Sequence, residues 1–253
     1  MNNSTLFTGS FPMTKLVISF NRHFFAVALV ACLIGIGLSM VINQWLISGL
    51  LLAGAVLALY FVIVSVMASY VVYDRSDLYK LTWWPKKYLP QTPQKGVLLH
   101  AGFDPTSHVI QQKYPDLDFT VFDFFNSGDM TEASIQIAHR LFPPPADQKN
   151  IEPGAWPVES NSQDVVFMVS AAHELRKRER RAAFFQEAKR VLNENGRIIV
   201  IEQLRDLPNF LCFGAAAFHF LSNRTWRQTF ADADLTVVDE GKITPFMHIY
   251  TLQ

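Results

Sequence analysis

The sequence predicts a doubly wound α/β domain behind a two-helix membrane hairpin, and three observations carry that expectation. Residues 164–202 hold two apolar runs joined by a charged, helix-forming stretch. Residues 96–107 hold another apolar run that breaks into a Gly/Asp/Pro/Thr/Ser turn. Ahead of both, residues 24–42 and 46–73 carry no formal charge.

The first observation is the most specific. Asp164–Ser170 is nearly all apolar, as expected of a parallel strand covered on both faces. The stretch after it spaces Phe184, Phe185, Ala188, Val191 and Leu192 three and four apart, one face of a helix. Asn195-Gly196 is expected to stop that helix in a left-handed turn. A second strand, Ile198–Ile201, then ends in Glu202. Strand, helix and strand with tight connections form a crossover unit, whose ligands sit at the carboxyl ends of the strands.

Upstream, Gly96–His100 reads as a strand, the turn follows, and a helix is expected over Ser107–Tyr114. Phe119-Thr-Val-Phe-Asp123 reads as a second strand ending in an acid. Downstream, Thr225–Ala231 reads as a helix, and Leu235–Val238 with Phe246–Leu252 as a closing antiparallel strand pair.

Asp164, Arg190-Val191-Leu192, Gly196 and Ile198–Glu202 together resemble the later half of class I S-adenosylmethionine-dependent methyltransferases of the type 11 kind, and the resemblance extends over about residues 95–253. It implies a Rossmann-like sheet, mostly parallel with its last strand antiparallel, and S-adenosylmethionine as cofactor. On that resemblance His100, Gly102 and Asp104 would face the amino-acid end of the cofactor. Only Gly102 matches one of the family's three loop glycines; Asp104 and Thr106 occupy the other two positions, and His100 replaces the usual acid. Asp123 would accept hydrogen bonds from the ribose hydroxyls, its bland alternative being a turn or N-cap Asp. Glu152 and Trp156 would lie on the adenine side, against the alternative of an ordinary Pro/Gly loop.

Ser170, which the resemblance implies as a cofactor-binding residue, and His173 follow the fourth strand, where the family faces the transferred group. Of the residues there, His173 alone has an ordinary pKa near neutrality, which makes it the candidate base. Glu174 would orient it or merely favour the dipole of a helix N-terminus. A structural histidine is the competing reading. With no second His or Cys at ligand spacing, no metal is predicted.

The hairpin comes from length and charge. Each uncharged run can cross hydrocarbon, which needs about 20 apolar residues. Gly35/Gly37 and Gly49/Gly54 would allow close helix approach. Lys15 and Arg22 precede the pair, and Arg75, Lys80, Lys86 and Lys87 follow it. The positive-inside rule therefore puts both flanks and the domain on the cytoplasmic side of a bacterial-type inner membrane. A cleaved signal peptide competes for the first run, but no small-residue cleavage site precedes the second.

The expected organisation is a cytoplasmic segment over 1–23, the hairpin over 24–73, a juxtamembrane linker over 74–94 and the methyltransferase-like domain over 95–253. The Pro-rich, aromatic linker from Trp83 to Pro93 should hold the domain near the bilayer, with Asp74 and Arg75 able to pair. A second proline patch, Pro143–Gln148, reads as a surface loop. The basic run Arg176–Arg181 reads as a solvated helix face or a contact for anionic lipid. Neutral net charge and the lack of a basic, aromatic platform argue against nucleic acid. Residues 207–221 are unusually apolar and read as a buried helix or a lid for a lipid-soluble substrate, with His219 a weak pocket candidate. Two cysteines, Cys32 and Cys212, fit a reducing compartment.

The functional expectation is methyl transfer to a lipophilic membrane acceptor such as a quinone precursor, isoprenoid or lipid head group. The rivals are a catalytically silent, membrane-tethered scaffold, with Asp104 and Thr106 filling the cofactor loop, and an enzyme using the same fold for non-methyl chemistry.

Overall fold

Apolar strands alternating with helices fold as predicted into one twisted sheet. The computed structural model describes residues 13–82, 89, 92–145 and 148–253. The linker residues Trp83–Tyr88 fall outside that set, as do Ala146 and Asp147 of the proline patch.

Three N-terminal helices are α1 (Met13–Phe20), α2 (Arg22–Val41) and α3 (Trp45–Ser69), the last running on into a π-helical turn, Tyr70–Arg75. In the domain, β1 (Lys95–His100), α4 (Ser107–Lys113), β2 (Asp118–Asp123), α5 (Ala133–Leu141) and β3 (Lys149–Asn150) come first. Then follow β4 (Gln163–Val169), α6 (Arg178–Val191), β5 (Leu192–Gln203), α7 (Leu207–Phe213), α8 (Asn223–Asp232), β6 (Val237–Thr244) and β7 (Met247–Leu252).

The strand order is β3-β2-β1-β4-β5-β7-β6. Strands β1 to β5 pair in parallel, and β7 runs antiparallel to both β5 and β6. The chain winds outward one way from β1 and the other way from β4, so the crevice for a ligand opens above the β1/β4 boundary.

Both faces of the sheet are covered. Val97, Leu99, Val166, Met168, Ile198 and Val200 point to one side, against Phe184 and Phe185 of α6 and Trp226 and Phe230 of α8. Their neighbours Leu98, Val165, Phe167, Ile199 and Ile201 point to the other, as period-2 alternation requires. That second side is closed by Ile110 of α4 and by Val72, Leu78 and Leu81. The start of the expected linker is therefore core: Leu78 and Leu81 are fully buried. Asp74 does not pair with Arg75 in the described contacts; its carboxylate takes the amides of Met13 and Thr14 at 2.6 and 3.0 Å and so caps α1, a helix the sequence reading did not anticipate.

One predicted boundary is corrected. The helix α6 ends at Val191 rather than at Asn195-Gly196, and Leu192 already has extended backbone. Gly196 lies inside β5 because a Cβ there would meet Leu192 Cδ1 at 2.7 Å and the carbonyl of Gln163 at 2.9 Å. The glycine serves close approach beside a register shift between β4 and β5.

The helices α2 and α3 are long and apolar enough to cross a membrane by length and composition. They leave side chains such as Leu33, Val41, Trp45 and Val56 exposed.

Candidate active site

Two adjacent strand ends bring polar groups to the crevice. Asp123, the last residue of β2, is 1% exposed. Its Oδ1 accepts the amides of Gly102 and Phe125, both at 2.8 Å. Its Oδ2 is buried without a partner. His100 ends β1, with a buried and unpartnered Nδ1 standing 3.7 Å from Asp123 Oδ1. An unpaired buried polar atom costs on the order of 1–3 kcal/mol, and here two of them lie on adjacent strand ends.

Gly102 has φ +78, and a Cβ there would lie 3.0 Å from His139 Nδ1 and from the Phe125 ring. The glycine of this loop is thus required, as predicted, but its present neighbours are protein atoms. The rings of Phe125 and His139 stack at 4.0 Å and roof the Gly102 turn. Asp104 turns inward: its Oδ1 accepts the amides of Thr106 and Ser107, both at 2.9 Å, and caps α4. The amides that a loop of this kind would offer to a carboxylate are thereby already engaged. Beside them a cleft of about 390 Å³ is lined by His100, Gly102, Phe103, Asp104, Gln148 and Lys149, a volume suited to a small molecule.

The structure therefore gathers His100, Gly102, Asp104 and Asp123. Glu152 and Trp156 are not with them. The Glu152 carboxylate is largely exposed and pairs with Arg180 at 3.1 Å. Trp156 is core: it packs edge-on against Phe184, and its indole N–H donates to the Pro153 carbonyl at 3.1 Å. A buried indole with its donor satisfied is a packing residue.

The ends of β4 and β5 build a second cluster. Ser170 has φ +49, and its hydroxyl is buried and unpartnered. Glu202, fully buried, accepts the amides of Ala171 and His173 on Oε1, and its Oε2 stands 2.7 Å from His173 Nδ1. His173 Nε2 lies 3.5 Å from Glu174 Oε1, and His219 Nε2 lies 3.6 Å from the same oxygen. The two imidazoles meet edge to face at 5.0 Å.

Burial alone would lower the His173 pKa, but the neighbouring carboxylates of Glu202 and Glu174 push it up to about 10. Burial alone would likewise raise Glu174, yet His173 and His219 hold it well below the usual carboxylate range. At neutral pH His173 by itself therefore carries its proton and has no lone pair to offer, which corrects the reading of it as a free base. Glu174 orients it only in part; Glu202 is the closer partner. The sequence signal was present, because Glu202 is the polar end of an otherwise apolar strand.

The basic run is also not a free solvated face. Arg181 is buried, donating to Thr229 Oγ1 at 2.8 Å and to the Leu175 carbonyl at 2.7 Å. Arg178 pairs with Asp232 at 2.7 Å, and Lys177 and Arg180 with Asp129.

The sequence profile of a methyltransferase domain matches residues 122–200, from the end of β2 into β5. Among curated proteins no sequence matches. Solved structures with a similar chain course include a SAM-dependent methyltransferase from Aquifex aeolicus, 15% identical, covering 70% of this chain and 89% of that one with a TM-score of 0.48. The PH0226 protein from Pyrococcus horikoshii OT3 is 15% identical over 73% of this chain and 97% of its own, with a TM-score of 0.46. A putative type 11 methyltransferase from Sulfolobus solfataricus is 15% identical over 67% and 91%, with a TM-score of 0.42.

The profile match identifies residues 122–200 as a methyltransferase domain, carried on a mostly parallel, Rossmann-like sheet. The chain is a methyltransferase, and its cofactor is S-adenosylmethionine. The unsatisfied Oδ2 of Asp123 and Nδ1 of His100 fit the hydroxyl-rich nucleoside end of that cofactor.

Proposed function

We propose that the chain methylates a small lipophilic acceptor, such as a quinone precursor, an isoprenoid or a lipid head group, at a membrane that α2 and α3 span. The observation behind this reading is the segment after β5. Its α7 and the 3-10 turn Gly214–His219 lean on α3: Tyr60 donates to the Leu211 carbonyl at 3.3 Å, and Gly214 lies against Phe61. The segment exposes Leu207, Phe210, Leu211 and Phe218, then ends at His219 beside His173. An apolar surface thus runs from a helix suited to lipid up to a polar cluster at the sheet edge, as an acceptor entering from a bilayer requires.

S-adenosylmethionine, when bound, supplies an electrophilic methyl on a sulfonium. The chain contributes orientation. Asp123 Oδ2 would hold the ribose hydroxyls, and the His139 ring would have to leave its place over Gly102. The apolar wall excludes water from the acceptor. The buried carboxylates Glu174 and Glu202 set a negative potential where the acceptor's proton leaves. Lys15 and Arg22 before the pair of helices, and Arg75 and Lys80 after it, support a cytoplasmic domain.

The test is full-length protein in lipid nanodiscs with methyl-labelled S-adenosylmethionine and a membrane lipid extract. Label should enter the organic phase, and Leu211→Asp with Phe218→Asp should reduce it several-fold without changing affinity for the demethylated cofactor. Label found only in water-soluble products would reject a lipophilic acceptor.

A further inference from the structure

We propose that His173, Glu174 and His219 bind a first-row divalent cation of the zinc type, with Glu202 and Glu132 orienting the two imidazoles. The inference goes beyond methyl transfer and does not rest on it. One ligand atom from each of the three residues lies within 4.8 Å of the others. The two Nε2 atoms stand 3.5 and 3.6 Å from Glu174 Oε1, beyond the usual 2.7–3.2 Å of a hydrogen bond. Ligand atoms about 2.1 Å from an ion at tetrahedral angles are separated by about 3.4 Å. The cluster has the spacing of ligands around an ion rather than of groups bonded to one another.

The surroundings agree. A metal-bound histidine characteristically gives its other ring nitrogen to a carboxylate. Here His173 Nδ1 faces Glu202 Oε2 at 2.7 Å, while His219 Nδ1 is buried without a hydrogen-bond partner, with Glu132 Oε1 nearest at 3.4 Å and within reach of a small side-chain adjustment. Three carboxylates surround the two imidazoles, and a dication in place of the His173 proton offsets their negative charge. Two imidazoles with one carboxylate favour zinc, iron or manganese over magnesium, which prefers an all-oxygen shell. His173 and His219 are 12% and 24% exposed at the side chain, so a further coordination position is open.

The experiment uses full-length protein in detergent, stripped with a chelator and offered zinc sulfate, with magnesium chloride as a parallel arm. About one zinc per chain should survive gel filtration, and cobalt(II) should give the absorption of a low-symmetry nitrogen/oxygen site. Magnesium should not be retained. His219→Ala should abolish retention, and Glu132→Gln, at a half-exposed position where folding is safe, should weaken zinc affinity about 10-fold. Wild-type protein that keeps no zinc, or a His219→Ala variant that keeps it all, overturns the proposal; so does magnesium that displaces zinc at equal concentration. Binding of S-adenosylhomocysteine to the same stripped sample separates the two readings. Cofactor without zinc sinks only the metal site, and zinc without cofactor sinks only the methyl-transfer reading.

Discussion

Glu202 Oε2 stands 2.7 Å from His173 Nδ1 while the other oxygen of the same carboxylate accepts the amides of Ala171 and His173. One buried acid at the end of β5 thus fixes both the backbone and the ring of the turn after β4. Glu202→Ala leaves these donors unpaired in the interior, at a cost on the order of 3–5 kcal/mol. Thermal unfolding of the full chain should show a clear fall in Tm, with Glu202→Gln less affected because its amide oxygen still serves the backbone. A Glu202→Ala variant as stable as the parent would show that the contact is incidental.

Asp123 holds a free carboxylate oxygen beside Gly102. Charge-assisted hydrogen bonds contribute about 1.5–3 kcal/mol each. Asp123→Asn should therefore weaken S-adenosylhomocysteine binding about 10- to 100-fold in calorimetry, while its Oδ1 continues to brace the loop. Unchanged affinity removes the ribose assignment.

His139 stacks on Phe125 over the Gly102 turn. If the ring is cover that the cofactor displaces, His139→Ala spares a stacking contact of about 0.5–1.5 kcal/mol. Affinity should then rise about 2- to 10-fold. A loss of affinity would instead make the imidazole a direct contact of the ligand.

Glu187 contributes to the acid limb of stability. Its hydrogen bonds with Arg190, and then the Trp156 amide at 2.8 Å, hold the carboxyl below its ordinary value of 4.5. A lowered carboxylate pKa stabilises the fold above the unfolded value, and that contribution is lost as pH falls below it through the folded value. Unfolding followed from pH 7 down to pH 3 should steepen below about 4.5. Glu187→Gln should flatten this limb, and an identical profile would exclude the residue.

The sheet was legible because its strands are bare apolar runs, and Asp164–Ser170 and Ile198–Ile201 announce buried strands whatever surrounds them. Asp123 and Gly102 were legible for the same reason, each marking where such a run ends. The metal-like cluster was not. His173 and Glu202 are 29 residues apart, and His219, marked in the sequence only as a weak pocket candidate, arrives from a segment read otherwise as apolar packing. The early end of α6 was hidden too, because Asn195-Gly196 has the composition of a helix stop but is used for strand contact. Trp156 shows the opposite failure, a motif match in sequence whose side chain the core has claimed.

Arg181 sits beneath this chemistry. With its guanidinium locked onto the carbonyls of Leu175 and Arg176 and onto Thr229, the chain just past Glu174 is moored from below before any ligand arrives. The entropy of ordering that corner is spent at folding rather than at encounter. Whatever docks above it meets a prepared surface, and it should do so with little induced rearrangement on that side of the crevice.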